Sequence, residues 1–335
     1  MIPLGDFFAR QVPLATLPTP LHRCAPFSGT QGVEVDLKRD DLMGDWLTGT
    51  KMRALSFILA KAVEDGVTDL ITIGEPTSNQ CRLVAMLGAR HEMTTHILLR
   101  KSKCFDEADT NLTIMRMHGA DLQFLGEDEW RLHGMAVKRL MSRVRKAKGK
   151  ALFIPFGCGG LPGVRGIVGL FDELTAQHDG RLPYSHVLVP TGSGSTLFGL
   201  HLAAQLRDAP EQGPKFVGVS VARAQADLVA HVDSLFAKTN RAWGTSYART
   251  NRLSVADRWR EMSPAAVIEQ LQRVARTYGF MADPVYVLPA VLELERMIHS
   301  GELDAESRVL LLVSGACRTL QATHRQVTEI RHADS

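Results

Sequence analysis

Lys51 stands between a small-residue turn, Leu47-Thr48-Gly49-Thr50, and an apolar run. Leu55, Ile58, Leu59 and Ala62 recur behind it at helical spacing, which predicts a helix beginning at or near the lysine. Helix starts carry unpaired N–H groups and a partial positive charge, so the dipole gives a cation no support there. The chemistry that such a lysine offers is covalent: its neutral amine is the usual nucleophile toward an aldehyde-bearing cofactor. Alone, the position suits a solvated surface lysine better, since most lysines at helix starts are that.

Three further turns carry groups of chemical interest. The apolar Val187-Leu188-Val189-Pro190 feeds Thr191-Gly192-Ser193-Gly194-Ser195-Thr196, which opens a helix near Leu197. Glycines let backbone N–H groups approach an anion, hydroxyls add donors, and a helix end favours negative charge, an arrangement that fits a phosphate monoester. No Gly-Lys-Ser/Thr follows and the G-x-G-x-x-G spacing is absent, so it is neither a P-loop nor a dinucleotide fingerprint. An ordinary glycine-rich turn remains the alternative for this stretch. In Ile73-Gly74-Glu75-Pro76-Thr77-Ser78-Asn79-Gln80, Ser78 and Asn79 fall at a helix start, where free N–H groups suit a carboxylate. Ser78 is equally a plain N-cap. In Ala282-Asp283-Pro284-Val285-Tyr286, the tyrosine is either an acid–base phenol or a half-buried aromatic.

The elements that must position these turns alternate between strand and helix. Strands are predicted over 33–38, 70–73, 95–99, 121–125, 151–155, 185–190, 216–221 and 308–313. Helices are expected over 79–89, 109–118, 128–147 and 164–177, and most of 222–278 reads as helical. Leu17-Pro18-Thr19-Pro20-Leu21 is a stiff extended lead-in. Such alternation argues for an α/β protein with mainly parallel sheets.

Composition narrows the function classes. The 335 residues suggest about two domains, and 45% hydrophobic content is enough to build sizeable cores. A formal charge of +3 gives no global field toward nucleic acid or membrane. The basic run Arg139, Arg143, Arg145, Lys146, Lys148 and Lys150 lacks interleaved aromatics and reads as a solvated helix face. Five scattered cysteines show no zinc-like spacing, so no metal is expected, and they suit reduced thiols in a cytoplasm. No signal peptide is evident, and no apolar run approaches the ~18 residues of a membrane span.

Taken together, the motifs are more specific than any one of them. Leu-Pro-Thr-Pro-Leu at 17–21, Leu-Lys-Arg-Asp-Asp-Leu at 37–42 and Thr-Gly-Thr-Lys-Met-Arg at 48–53 come in order. Thr-Ile-Gly at 72–74, Ser-Asn-Gln-Cys-Arg at 78–82, the 157–166 loop, Thr-Gly-Ser-Gly-Ser-Thr at 191–196 and Asp-Pro-Val-Tyr at 283–286 follow. This set resembles the pyridoxal-phosphate family of 1-aminocyclopropane-1-carboxylate deaminase and D-cysteine desulfhydrase, over about 17–316. The resemblance implies fold type II, the tryptophan-synthase-β-like fold: two open, twisted, mainly parallel sheets with flanking helices. It implies a large cofactor domain of 1–52 and 157–335, a smaller inserted domain of 53–156, and a homodimer. Pyridoxal 5'-phosphate is the implied cofactor, with Lys51 as the Schiff-base lysine. Gly192, Ser193, Gly194, Ser195 and Thr196 would hold its phosphate, and Asn79 would lie near its ring hydroxyl. Ser78, Asn79 and Gln80 would meet a small amino-acid substrate, and Ser78 and Tyr286 would act beside Lys51 in catalysis. The implied reaction is α-proton removal by Lys51 and loss of a β-leaving group, giving a 2-oxo acid and ammonia.

The sequence departs from that family at informative places. Gly-Gly-Asn-Lys becomes Thr48-Gly49-Thr50-Lys51, which removes an amide expected near the cofactor. Gln-Ser-Asn-His becomes Thr77-Ser78-Asn79-Gln80, replacing a titratable histidine by a neutral amide. Val287 stands where relatives carry Glu or Thr, and valine offers no hydrogen bond to a pyridine nitrogen. Ser314 is the residue expected to supply one instead. These changes favour β-elimination over cyclopropane opening. They leave open β-replacement or another biosynthetic reaction, and also a relative that binds the cofactor without turnover.

Overall fold

A computed structural model describes residues 15–28, 32–44, 49–101, 109–207, 213–257 and 262–315. Their strands are β1 (Leu21–Arg23), β2 (Glu34–Arg39), β3 (Asp69–Gly74), β4 (Thr94–Arg100), β5 (Asp121–Leu125), β6 (Ala151–Ile154), β7 (His186–Thr191), β8 (Lys215–Ser220), β9 (Leu253–Ala256) and β10 (Arg308–Val313). They form two sheets, one ordered β1-β2-β10-β7-β8-β9 and the other β5-β4-β3-β6. Every pairing is parallel except that of β1 with β2. The α/β class and the mainly parallel sheets read from the alternating pattern are therefore present.

The described residues divide into two compact units, Ala54–Gly163 and Ala15–Arg53 with the chain from Val164. In the first, successive strand residues face opposite sides. Ile71, Ile73 and Leu98 pack with Val137 and Leu140 on one face. Ile97 and Leu99 pack with Cys81, Ala85, Leu112 and Met115 on the other. In the second, Leu188, Val217, Leu311 and Val313 share a core with Val291, Leu294 and Ile298 of the helix Val287–His299. Burial on both faces explains why β7 and β10 read as continuous apolar runs rather than alternating ones.

Two elements differ from expectation. The helix expected over 128–147 is two helices, Glu127–Arg131 and His133–Lys146. The His133 ring nitrogen Nδ1 lies 2.8 Å from the Trp130 carbonyl, which a continuous helix would offer to the N–H of Gly134. Within 222–278 lies the short edge strand β9, whose four residues are too few to carry a period.

In the six-stranded sheet, parallel pairing sets Val313 beside Arg39 and Thr191 beside Ser220. The carboxyl ends of β2, β10, β7 and β8 thus share one edge. In open α/β sheets that edge is where ligands bind.

Candidate active site

The helix Lys51–Glu64 begins at the lysine, and its start is held from both sides. A Cβ on Gly49 would sit 2.5 Å from the Ser314 carbonyl oxygen, so only glycine permits the approach. The Thr50 N–H donates to that same oxygen at 3.1 Å. The Thr50 hydroxyl donates to Asp40 Oδ2 at 2.9 Å. Arg53 grips both oxygens of Asp40, Nε to Oδ2 at 2.9 Å and Nη2 to Oδ1 at 2.7 Å. Its Nη1 also donates to Glu173 Oε2 at 2.9 Å. Lys38 pairs with Glu173 and donates to the Thr19 carbonyl at 2.8 Å and Gln177 Oε1 at 2.7 Å. Lys38, Asp40 and Arg53 are at most 2% exposed, so two cations and two carboxylates balance one another inside the unit. Burial pushes the Glu173 carboxyl up, but the hydrogen bonds and charges of Arg53 and Lys38 outweigh it and hold Glu173 at about 2.

This cluster escaped the sequence reading. The Thr50 side chain in particular is buried and bonds Asp40. Thr48 lies outside the described residues.

At the carboxyl end of β7, Gly194 caps the helix Ser195–Leu206 in a left-handed conformation, φ 85°. A side chain there would be strained and would stand 3.2 Å from Leu228 and Val232. Ser193 Oγ lies 3.2 Å from Ser195 Oγ and accepts the Ser195 N–H at 3.4 Å. The N–H groups of Gly192, Ser193, Gly194 and Thr196 donate to no described residue. Four of five successive residues thus offer backbone donors at a helix N-terminus, which favours binding an anion.

Tyr286 packs over this turn: a Cβ on Gly192 would lie 3.4 Å from its ring and 3.6 Å from its hydroxyl. Asp283 fixes the approach by accepting the N–H groups of Val285, Tyr286 and Val287 at 3.0, 2.7 and 2.9 Å. Burial, and then the Asp283 charge, push the Tyr286 phenol up to about 12, so it is a protonated donor at neutral pH. Val287 is 1% exposed and belongs to the apolar core of its unit. Ser314 follows β10 at the same sheet edge, with its carbonyl engaged by Thr50.

In the other unit, Ser78 caps the helix Asn79–Arg90 and accepts the Cys81 N–H at 3.2 Å. Asn79 Oδ1 accepts from Arg82 Nη2 at 3.2 Å and Asn111 Nδ2 at 3.1 Å. Its carbonyl is thereby committed and its amide orientation set. Gln80 is bonded on both its amide nitrogen and its oxygen. Its amide donates to the Pro155 carbonyl at 2.7 Å and to Thr72 Oγ1 at 3.2 Å, and its oxygen accepts the Cys158 N–H at 3.1 Å. The side chain is buried and ties the glycine-rich loop to β3.

Known proteins resemble this chain over most of its length. The profile of the family described as pyridoxal-phosphate dependent enzyme matches residues 12–315. The mitochondrial bifunctional D-cysteine desulfhydrase/1-aminocyclopropane-1-carboxylate deaminase of Arabidopsis thaliana is 29% identical, over 90% of this chain and 76% of its own. A D-cysteine desulfhydrase of Yersinia pestis is 27% identical, over 92% of this chain and 94% of its own. Among solved structures, an ACC deaminase homologue superposes with a TM-score of 0.81 at 23% identity, covering 94% of this chain and 95% of that one. An L-serine ammonia-lyase from Rhizomucor miehei gives 0.64 at 16% identity, over 90% of this chain and 94% of that one. These two likenesses speak for the fold.

Proposed function

Because the chain belongs to the pyridoxal-phosphate-dependent enzymes, we propose that it removes the α-proton of a small amino acid and expels a β-substituent, leaving a 2-oxo acid and ammonia. The family cofactor is pyridoxal 5'-phosphate, and the residues present suit it. The N–H groups of Gly192, Ser193, Gly194 and Thr196, which donate to no described residue, and the hydroxyls of Ser193, Ser195 and Thr196 suit a phosphate at this helix N-terminus. Lys51 supplies the amine for an aldehyde at the first residue of its helix. When bound, the cofactor spreads the negative charge left by the departing α-proton.

The protein's part is to place groups and move protons. Lys51 is assigned the α-proton, which its neutral amine accepts. Tyr286, held protonated, is assigned to donate toward the departing substituent. Ser78 and the first N–H groups of its helix are assigned the substrate carboxylate, and Asn79 a polar edge of the cofactor. Ser314 is assigned to the ring nitrogen, since Val287 turns into the core. The observation that carries this reading is convergence within one unit: the Thr50–Ser314 bond and the Gly192–Tyr286 contact gather four assigned groups along one sheet edge. The names of both relatives include D-cysteine desulfhydrase, and D-cysteine is a three-carbon amino acid with a β-thiol to expel, which supports the choice of substrate class.

Incubating the cofactor-loaded protein with D- and L-cysteine, serine, β-chloroalanine and 1-aminocyclopropane-1-carboxylate tests it. The proposal expects the visible band to shift and 2-oxo acid and ammonia to appear together with at least one of them. A band indifferent to every amino acid would point to a binding protein instead.

A further inference from the structure

We propose that the buried Asp40–Thr50–Arg53 cluster is a positioning device for Lys51, setting how fast and in what geometry that amine attaches the cofactor. The inference rests on Lys51 being the attachment point. It concerns side chains that bond one another and act through the lysine between them.

The first turn of a helix is its least constrained part, because its N–H groups have no partners within the helix. A reactive amine on the first helical residue would inherit that freedom. Here the residue before the lysine is fixed by two bonds to different strand ends. The Thr50 N–H reaches the Ser314 carbonyl after β10 at 3.1 Å, and its hydroxyl reaches Asp40 after β2 at 2.9 Å. Two residues beyond the lysine, Arg53 closes on the same carboxylate with two bonds, at 2.9 and 2.7 Å. Asp40 therefore holds both sides of Lys51 at once. The frame it refers them to is the sheet edge that carries the Gly192–Thr196 turn.

Packing alone does not call for this arrangement. Apolar side chains of similar volume would fill the same space without removing two carboxylates and two cations from water, and buried ion pairs are often no more stabilising than such replacements. What a bidentate guanidinium–carboxylate pair provides that apolar contacts do not is a defined direction. At the far end of the network Gln177 bonds Lys38 at 2.7 Å and the Thr19 carbonyl at 3.0 Å; its own side chain bonds neither Thr50 nor Arg53, the latter being reached through Thr19, and it serves as an internal control.

The test mixes cofactor-free protein with pyridoxal 5'-phosphate. It follows the rate at which the attachment band grows, the band's circular dichroism, and the melting temperature. Thr50→Val removes the hydroxyl at constant shape. It should slow attachment by about tenfold, the worth of one hydrogen bond to a charged group, and change the dichroism of the band. Thr50→Ser should restore both. Gln177→Ala should lower the melting temperature by a few degrees while leaving rate and band as in the unaltered protein. Should Thr50→Val not fold, Arg53→Lys keeps the charge, loses the fork and carries the same comparison. The inference falls if Thr50→Val or Arg53→Lys attaches cofactor at the unaltered rate with an unaltered band. It also falls if Gln177→Ala slows attachment as much as Thr50→Val, since the effect would then follow stability. An unaltered chain that forms no band would remove the proposed function and this inference with it; a normal band with indifferent variants would remove this inference alone.

Discussion

At the scale of single residues, the groups that announced themselves did so through turn chemistry. Lys51 before an apolar period, the Gly/Ser/Thr turn after an apolar run, and Ser-Asn at a helix start are local patterns, and each falls at a helix start here. Thr50 and Gln80 were illegible because their partners, Asp40 for one and Pro155 and Cys158 for the other, are set by tertiary contact. Side-chain direction does not follow from sequence spacing alone. Two substitutions test the assigned roles. Tyr286→Phe should keep cofactor attachment but lower kcat by about 10²–10⁴-fold, the usual worth of a general acid; steady-state kinetics read it. Gly194→Ala should weaken cofactor binding and cost about 1–3 kcal/mol, because alanine at φ 85° is strained and its methyl meets Leu228 and Val232. Cofactor titration and denaturant unfolding read those two effects.

At the scale of elements, most strands and helices lie within a residue or two of where periodicity puts them. The exceptions are instructive. One expected helix is two, parted at Leu132, where the His133 Nδ1 lies 2.8 Å from the Trp130 carbonyl. The network at the Lys51 helix joins β2, that helix and the helix Leu161–Ala176, with Arg53 and Glu173 separated by 120 positions in the chain. It makes a clear statement about pH. The folded protein holds Glu173 at about 2, below its ordinary 4.5, so the folded state favours the ionised form. That stabilisation is complete above pH about 4.5 and disappears as pH falls toward about 2. Glu173→Gln should flatten this part of the stability profile. It should also destabilise the protein at neutral pH by about 3–5 kcal/mol, because Arg53 and Lys38 lose a buried counter-charge. Chemical denaturation from pH 3 to 7 measures both effects.

At the scale of the whole molecule, alternation of strand and helix was enough to indicate an α/β chain with parallel sheets, because a parallel strand needs a crossover and the crossover is usually a helix. Among the described residues no helix is long and apolar enough to cross a membrane. Ligand linkage predicts that the cofactor stabilises the protein: at 100 times its Kd, pyridoxal 5'-phosphate should add about 2.7 kcal/mol to unfolding, seen as a higher melting temperature. We propose a homodimer as the assembly, which light scattering would show as twice the 36.8 kDa chain mass. The central claim is the bond at Lys51, and reduction with borohydride followed by peptide mapping tests it most directly. The account predicts one pyridoxyl group per chain, on the peptide carrying Lys51, and none in Lys51→Ala. A label on another lysine, or no label on a folded and cofactor-saturated chain, would contradict it.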